Sequence, residues 1–174
     1  IRGERGLGLA EEQGVHDRIE ILTGTFGKAF GGQGAFVVGR RVLTDFLLNT
    51  ARSQIFTTGL PPAPVHGLRF VLKRIPEMRP EREKVARLSE QFRQALRDAG
   101  LTTLGDSNIV PVMIGDAARA VASAERVCEG GYWVKAVRPP TVPAGTSRLR
   151  LSLNAAMEWE QLAALPALIA ASLR

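Results

Sequence analysis

Residues 23–32 read Thr-Gly-Thr-Phe-Gly-Lys-Ala-Phe-Gly-Gly and place one lysine, Lys28, among small residues. An apolar segment precedes this run and another follows it. Glycines let the backbone approach a ligand closely and adopt conformations that other residues avoid. A lysine partly shielded from water in such a loop can act as a nucleophilic amine toward a carbonyl group. A solvated lysine on a flexible loop is the alternative that the same residues leave open.

The lysine loop does not match a phosphate-binding P-loop. That motif needs a glycine six positions before its lysine and a hydroxyl residue directly after it. Leu22 and Ala29 occupy these two positions. The hydroxyl of Thr25, three residues before Lys28, nevertheless suits an anion such as phosphate.

The composition of the chain narrows the class of protein. With 174 residues, 45% of them hydrophobic, the chain can form one domain or two small ones. No apolar run approaches the roughly 20 residues of a transmembrane helix, so we expect no membrane contact. The net charge is +6, but aromatic residues make up only 6% of the chain, which does not favour nucleic-acid binding. An acidic small molecule is the preferred partner.

Periodicity and capping residues predict the elements around the lysine loop. A single long amphipathic helix is expected over residues 80–99, with Phe92 on its apolar face and Arg93 facing water. Asp116 is expected to cap a helix that ends near Glu129. Strands are expected over residues 18–22, 35–38, 108–114, 132–137 and 148–153, of which the second is fully buried and the last alternates strictly. Prolines at 76 and 80 mark the expected domain boundary, which divides the chain into residues 1–78 and 79–174.

Two further sites carry candidate binding groups. Arg138 ends a predicted strand directly before two prolines, and a rigidly held guanidinium binds a carboxylate with two hydrogen bonds. The alternative is an arginine lying over the surface of a sheet. Thr57 and Thr58 offer hydroxyls that either bind phosphate or cap the helix that follows them.

The remaining reactive residue types do not form a recognisable centre. His16 and His66 are far apart and lack a partner at metal-ligand spacing, so we expect no metal. Cys128 is the single cysteine, which excludes an internal disulfide and fits a reducing, cytoplasmic setting. It lies on a predicted helix, where we expect a small buried side chain.

Three segments together resemble one family. Residues 17–31, 56–62 and 138–150 are similar, in this order, to motifs of the α-oxoamine synthases, which are fold-type I enzymes dependent on pyridoxal 5'-phosphate (PLP). These acyltransferases join an amino acid to an acyl thioester with loss of CO2. The Arg-Pro-Pro form of residues 138–140 favours the biotin-pathway member. It is atypical of the glycine-using 5-aminolevulinate synthases and 2-amino-3-ketobutyrate CoA ligases.

The resemblance implies a role for each candidate residue. Lys28 would carry PLP as a Schiff base, and Thr25 would bind the cofactor phosphate. Thr58, with Thr57, would reach the phosphate of the neighbouring subunit in a homodimer with shared active sites. Arg138 would hold the carboxylate of L-alanine, and the acyl donor would be pimeloyl-CoA or a pimeloyl-carrier protein.

The resemblance also implies an α/β fold and an incomplete site. Residues 1–78 would be the C-terminal portion of the PLP-binding large domain, and residues 79–174 the small C-terminal α+β domain. The aspartate and the two histidines that serve the cofactor in this family should lie upstream, in an N-terminal half that this sequence does not contain. The chain alone is therefore expected to be inactive and to expose apolar edges. A non-catalytic subunit is the remaining alternative.

Overall fold

The structure is a computed structural model that describes residues 1–174. The chain forms two compact units, Ile1–Arg82 and Glu83–Arg174. The helices are α1 (Leu9–Glu12), α2 (Arg41–Thr50), α3 (Arg52–Ile55), α4 (Pro62–Arg74), α5 (Arg79–Asp98), α6 (Ala117–Glu129) and α7 (Leu165–Ser172), and the strands are β1 (Ile21–Thr25), β2 (Ala35–Gly39), β3 (Ile109–Gly115), β4 (Lys135–Val137) and β5 (Ser147–Ser152). None of the helices is both long and apolar enough to cross a membrane.

The first unit contains a two-stranded antiparallel sheet formed by β1 and β2. Ile21 pairs with Gly39 at one end, and Thr25 pairs with Ala35 at the other. The strand predicted over residues 18–22 begins later, because His16–Arg18 forms a 3-10 turn. The strand predicted over residues 35–38 is present, but its expected burial is wrong, since Val38 is 55% exposed. The other elements of this chain do not cover both faces of this short sheet.

The segment that precedes β1 is held together by the carboxylate of Glu11. Its Oε1 accepts a hydrogen bond of 2.7 Å from the Arg5 guanidinium, and its Oε2 accepts one of 3.1 Å from the backbone N–H of Leu7. The Arg82 guanidinium donates to the Glu4 carbonyl at 2.5 Å, within the same unit. Residues 1–12 are thus ordered by polar contacts, since no large apolar side chain among them is buried.

The second unit has an apolar core between three helices and one face of a three-stranded antiparallel sheet of order β3-β5-β4. The strict alternation predicted for β5 is confirmed, since Leu149 and Leu151 are buried while Arg150 is exposed. The core combines side chains from α5, α6, α7, β3 and β5, among them Phe92, Leu96, Val110, Val112, Val127, Leu149 and Ile169. Burying apolar area of this kind is the dominant favourable term in folding.

The bounds of the two long helices, α5 and α6, agree closely with those predicted from the sequence. Helix α5 covers Arg79–Asp98, and the Asp116 carboxylate caps α6 by accepting a 2.8 Å hydrogen bond from the Arg119 N–H. The expectation that Arg93 faces water is wrong, because this residue is only 2% exposed. Its guanidinium donates to the carbonyls of Ser107 and Ile109, in the segment that leads into β3. Burial is tolerated because these bonds replace those to water.

Candidate functional site

The lysine loop connects β1 to β2 and is closed by backbone hydrogen bonds on both sides of Lys28. The Phe26 N–H donates to the Gly34 carbonyl at 2.9 Å, and the Gly32 N–H donates to the Phe26 carbonyl at 2.8 Å. A third bond of 2.9 Å joins the Gly31 N–H to the carbonyl of Lys28 itself. Gly31 has a φ of +64°, which favours glycine. Lys28 is therefore at the tip of a defined turn.

Three aromatic rings support this turn. The ring of Phe26 lies 5.3 Å from that of Phe30 and 5.1 Å from that of Phe36, measured between centroids. Gly24 on β1 is needed for this arrangement, because a Cβ at that position would lie 2.4 Å from the Phe36 ring. The glycine on β1 thus admits the ring that supports the lysine loop.

Lys28 and Thr25 present polar groups that make no side-chain contact within the chain. Lys28 is exposed, and no hydrogen bond or ion pair involves its amine. Thr25 is the last residue of β1, and its hydroxyl also has no partner. The expected shielding of Lys28 from water is not provided by this chain. The hairpin nevertheless holds a primary amine and a hydroxyl on one short, well-defined segment.

Thr57 and Thr58 lie in the segment between α3 and α4, also in the first unit. Helix α4 begins after Pro61 without a side-chain cap. The capping alternative for the two threonines is therefore wrong. Both residues are exposed and their hydroxyls have no partner, so these groups remain available to an anion.

Arg138 lies in the second unit, in a groove of about 860 Å³ beside β4 and β5. The arginine directly follows β4, is exposed, and has no hydrogen-bond or ion-pair partner. Pro139 and Pro140 follow it and also line the groove. The structure thus brings Thr25 and Lys28 together on one hairpin and places Arg138 on the other unit.

Two basic residues of the same groove were not among the predicted site residues. Lys135 on β4 and Arg150 on β5 both line it, together with Trp133 and Met157. The alternation of Arg148-Leu149-Arg150 did indicate that Arg150 faces away from the leucines. The pairing of Lys135 with Arg150 depends on strand register, which local sequence does not reveal.

The prediction for Cys128 is wrong. Its side chain is exposed, and its Sγ lies 3.9 Å from the Val134 carbonyl. The buried positions of α6 are Ala120, Ser123, Ala124 and Val127, and Cys128 lies just outside this face. No group of three or more His, Cys, Asp or Glu residues is arranged to hold a metal ion.

Comparison with known proteins identifies the protein family to which this chain belongs. A family model described as aminotransferase class I and II matches residues 4–168. The chain belongs to this family.

Individual relatives show which members of the family this chain is similar to. The 8-amino-7-oxononanoate synthase of Chlorobaculum parvum is 47% identical over 165 residues, which cover 95% of this chain and 42% of that protein. The serine palmitoyltransferase of S. paucimobilis with a bound PLP-myriocin aldimine has a TM-score of 0.91 at 29% identity, over 99% of this chain and 44% of that one. The 8-amino-7-oxononanoate synthase of Francisella tularensis has a TM-score of 0.88 at 24% identity, over 99% and 51%. At that identity the likeness shows the fold alone.

These matches confirm the predicted fold class and the predicted family resemblance. The chain has the fold of the C-terminal part of fold-type I PLP-dependent enzymes. It spans about two fifths of the length of the curated relatives it matches, over their C-terminal portion.

Proposed function

We propose that this chain forms the C-terminal part of a PLP-dependent 8-amino-7-oxononanoate synthase. The reaction joins L-alanine to a pimeloyl thioester of CoA or a carrier protein, with loss of CO2, in biotin biosynthesis. The observation that carries the proposal is the unpaired amine of Lys28 at the tip of a closed, glycine-bounded turn. The identity of 47% to a synthase of this name supports the choice of reaction.

The groups present fit PLP. A primary amine suits its aldehyde, and hydroxyls suit its phosphate. Lys28 supplies the amine, Thr25 supplies a hydroxyl on the same hairpin, and Thr57 and Thr58 supply two more in the same unit. All three hydroxyls are free of internal hydrogen bonds, so binding an anion would break none. In a homodimer with shared sites, Thr58 would serve the phosphate of the neighbouring subunit.

Each residue then has a defined task. When bound, PLP supplies an electron sink that stabilises negative charge at the Cα atom of the amino acid. Arg138 orients alanine by binding its carboxylate with two parallel hydrogen bonds. The amine of Lys28 would take the proton from Cα and return one after the loss of CO2. Ile1–Arg82 would be part of the large cofactor-binding domain, and Glu83–Arg174 most of the small domain.

Covalent labelling of the complete enzyme that contains this chain tests the cofactor assignment. The enzyme is incubated with PLP, reduced with borohydride and analysed by peptide mass spectrometry. We expect the label on Lys28, and its loss from the peptide in Lys28→Ala. The matched control is Lys73→Ala, which removes another exposed lysine of the first unit and should leave the label in place. Undiminished labelling of Lys28→Ala would contradict the proposal.

Steady-state assays test the substrate assignment. We expect product formation with L-alanine and a pimeloyl thioester in a cytoplasmic extract or with the pure enzyme. A clear preference for glycine would instead favour a 5-aminolevulinate synthase or a 2-amino-3-ketobutyrate CoA ligase. Arg138→Lys should raise the KM for the amino acid, because an ammonium cannot make the planar, two-bond contact.

A further inference from the structure

Two glycines of the lysine loop lie against leucines of the same unit. A Cβ at Gly32 would lie 2.6 Å from Cδ2 of Leu68 on α4, and a Cβ at Gly34 would lie 2.7 Å from Cδ1 of Leu60. These distances are shorter than the van der Waals contact between carbon atoms, about 3.5–4.0 Å. Each leucine methyl therefore occupies the space that a side chain on the loop would need.

The contact at Gly32 coincides with the best-buried apolar side chain of the first unit. Leu68 is the one buried residue of α4 and is 7% exposed. Phe70 and Leu72, on the same helix, are 66% and 49% exposed. The burial of this single leucine marks the place where α4 is fixed to the lysine loop.

The backbone hydrogen bonds of the loop determine its conformation but not its position. All three bonds join residues within 26–34. The amine of Lys28 makes no contact that would anchor it to another element. Contacts with Leu60 and Leu68 are therefore needed to fix the place of the turn relative to α4.

Leu60 also connects the loop to the candidate phosphate-binding segment. It lies two residues after Thr58 and directly before the prolines that open α4. Its contact with Gly34 joins the segment that carries Thr57 and Thr58 to the loop that carries Lys28. Two of the candidate cofactor-binding parts of the first unit thus touch each other.

We infer that Leu60 and Leu68 are positioning residues for Lys28. They hold the lysine loop at a fixed place on α4 and on the segment that carries Thr57 and Thr58. This inference rests on the proposed function for the reaction, and on the glycine–leucine contacts alone for the positioning. Proton transfer requires the Lys28 amine to lie within hydrogen-bond reach of Cα, and a displacement of about 1 Å can cost about a hundredfold in rate.

Hydrogen exchange of the complete enzyme, without added cofactor, tests the positioning directly. Leu68→Ala should accelerate exchange of residues 26–34, because the loop loses its contact on α4. Leu60→Ala should act in the same direction but less, because Leu60 is 43% exposed. The matched control is Leu88→Ala in the second unit, where an equally buried leucine, 6% exposed, does not contact the loop. Unchanged exchange of residues 26–34 in Leu68→Ala, or equal acceleration by Leu88→Ala, would overturn the inference.

A pair of substitutions tests the same contact from the side of the loop. Gly32 is not among the glycines with positive φ, so an alanine there is opposed by the Leu68 methyl and not by the backbone. Gly32→Ala should accelerate exchange, and it leaves α4 unchanged, so it gives a result even if Leu68→Ala does not fold. Combining it with Leu68→Val, which makes room, should restore part of the protection. Strictly additive effects of the two substitutions would overturn the inference.

Kinetics of the complete enzyme separate positioning from a loss of stability. For each Lys28 that borohydride labelling detects, Leu68→Ala should lower kcat about tenfold and leave the KM of both substrates unchanged. Leu68→Met, which conserves volume, should restore kcat. An unchanged kcat per labelled site in Leu68→Ala would overturn the inference. A failure of Lys28 labelling in the parent enzyme would instead contradict the proposed function and leave the exchange results standing.

Discussion

The two units of the chain use their apolar residues in opposite ways. Leu68 is the only buried hydrophobic side chain of the first unit, whereas the second unit contains a continuous core around Phe92. Large apolar side chains of the first unit remain exposed, for instance Val42 at 71%, Phe46 at 61% and Phe56 at 73%. Both units have regular helices and strands, yet only the second encloses a core of its own.

The difference shows that regular secondary structure and a self-sufficient core are separate properties. Ile21 and Leu22 are adjacent on β1, and Val37 and Val38 are adjacent on β2, so both faces of the hairpin are apolar. Strands of this kind belong to sheets that are covered on both faces. Exposed apolar patches are typical of surfaces that contact other polypeptide. The expected exposure of apolar edges is present, and the dependence of the first unit on further polypeptide stays a prediction.

The largest effect is expected for truncation of the core of the second unit. Phe92→Ala should lower the free energy of unfolding by about 3–5 kcal/mol, because it removes a fully buried ring and leaves a cavity. Phe46→Ala, the same change at an exposed site of the first unit, should cost less than about 0.5 kcal/mol. Urea unfolding followed by circular dichroism measures both. Similar costs would refute the contrast between the units.

A smaller effect is expected for the buried guanidinium on α5. Arg93→Ala should cost about 2 kcal/mol, because the carbonyls of Ser107 and Ile109 lose their donor. Arg97→Ala removes an exposed arginine of the same helix, which pairs with Glu90 on the surface. We expect it to cost less than about 1 kcal/mol. If the two variants unfold at the same urea concentration, the buried contact contributes nothing.

The next smaller loss of stability is expected for the helix cap of α6. Asp116→Ala should cost about 1 kcal/mol, because the Arg119 N–H loses its acceptor. In the first unit, Asp45→Ala breaks only an exposed ion pair with Arg41 and should cost about 0.3 kcal/mol. Thermal unfolding of both variants gives the comparison. A larger loss for Asp45→Ala would show that the first unit depends on its surface charges more than its structure indicates.

The smallest effect on global stability is expected for the pH dependence of the N-terminal segment. The Arg5 guanidinium that donates to Glu11 holds the pKa of this carboxyl below its usual value of 4.5. A lowered pKa in the folded state stabilises the segment above pH 4.5, and this contribution is lost as the pH falls through the lowered value. Amide exchange of residues 1–12 should therefore accelerate on acidification, while the core of the second unit stays protected.

A matched pair of variants checks this assignment by hydrogen exchange. Glu11→Gln should accelerate exchange of residues 1–12 at neutral pH and abolish its dependence on acid. Glu77→Gln, at an exposed carboxylate that pairs with Arg74, should change neither. Unchanged exchange in Glu11→Gln would show that this carboxylate does not hold the segment.

Local signals in the sequence were sufficient for much of the second unit. The cap at Asp116, the apolar stripe of α5 and the alternation of β5 act within a few residues, so each predicts its element correctly. Each of the three motifs that predict the fold class is also a single continuous segment of the sequence. Arg138 is a candidate for the same reason, since the two prolines that follow it are its neighbours in the chain, and its role stays a prediction.

Properties that depend on distant residues were not predicted. Arg93 can be buried because its guanidinium donates to two backbone carbonyls that lie 14 and 16 positions away in the sequence. Val38 is exposed because nothing in this chain covers its face of the sheet. The opposition of Lys135 and Arg150 depends on a register between two strands, so no local pattern contains it.

The alternation of β5 has an evolutionary consequence. Leu149 and Leu151 face the core, whereas Arg150 and Ser152 face the groove. A substitution at an inward position lowers the stability of the fold, so selection acts against it. A substitution at an outward position leaves the core intact. A descendant protein can therefore exchange the charge and size of the groove residues, one mutation at a time, while it keeps the same folded scaffold. Strand β5 would allow the chemistry of the groove to diverge faster than the fold.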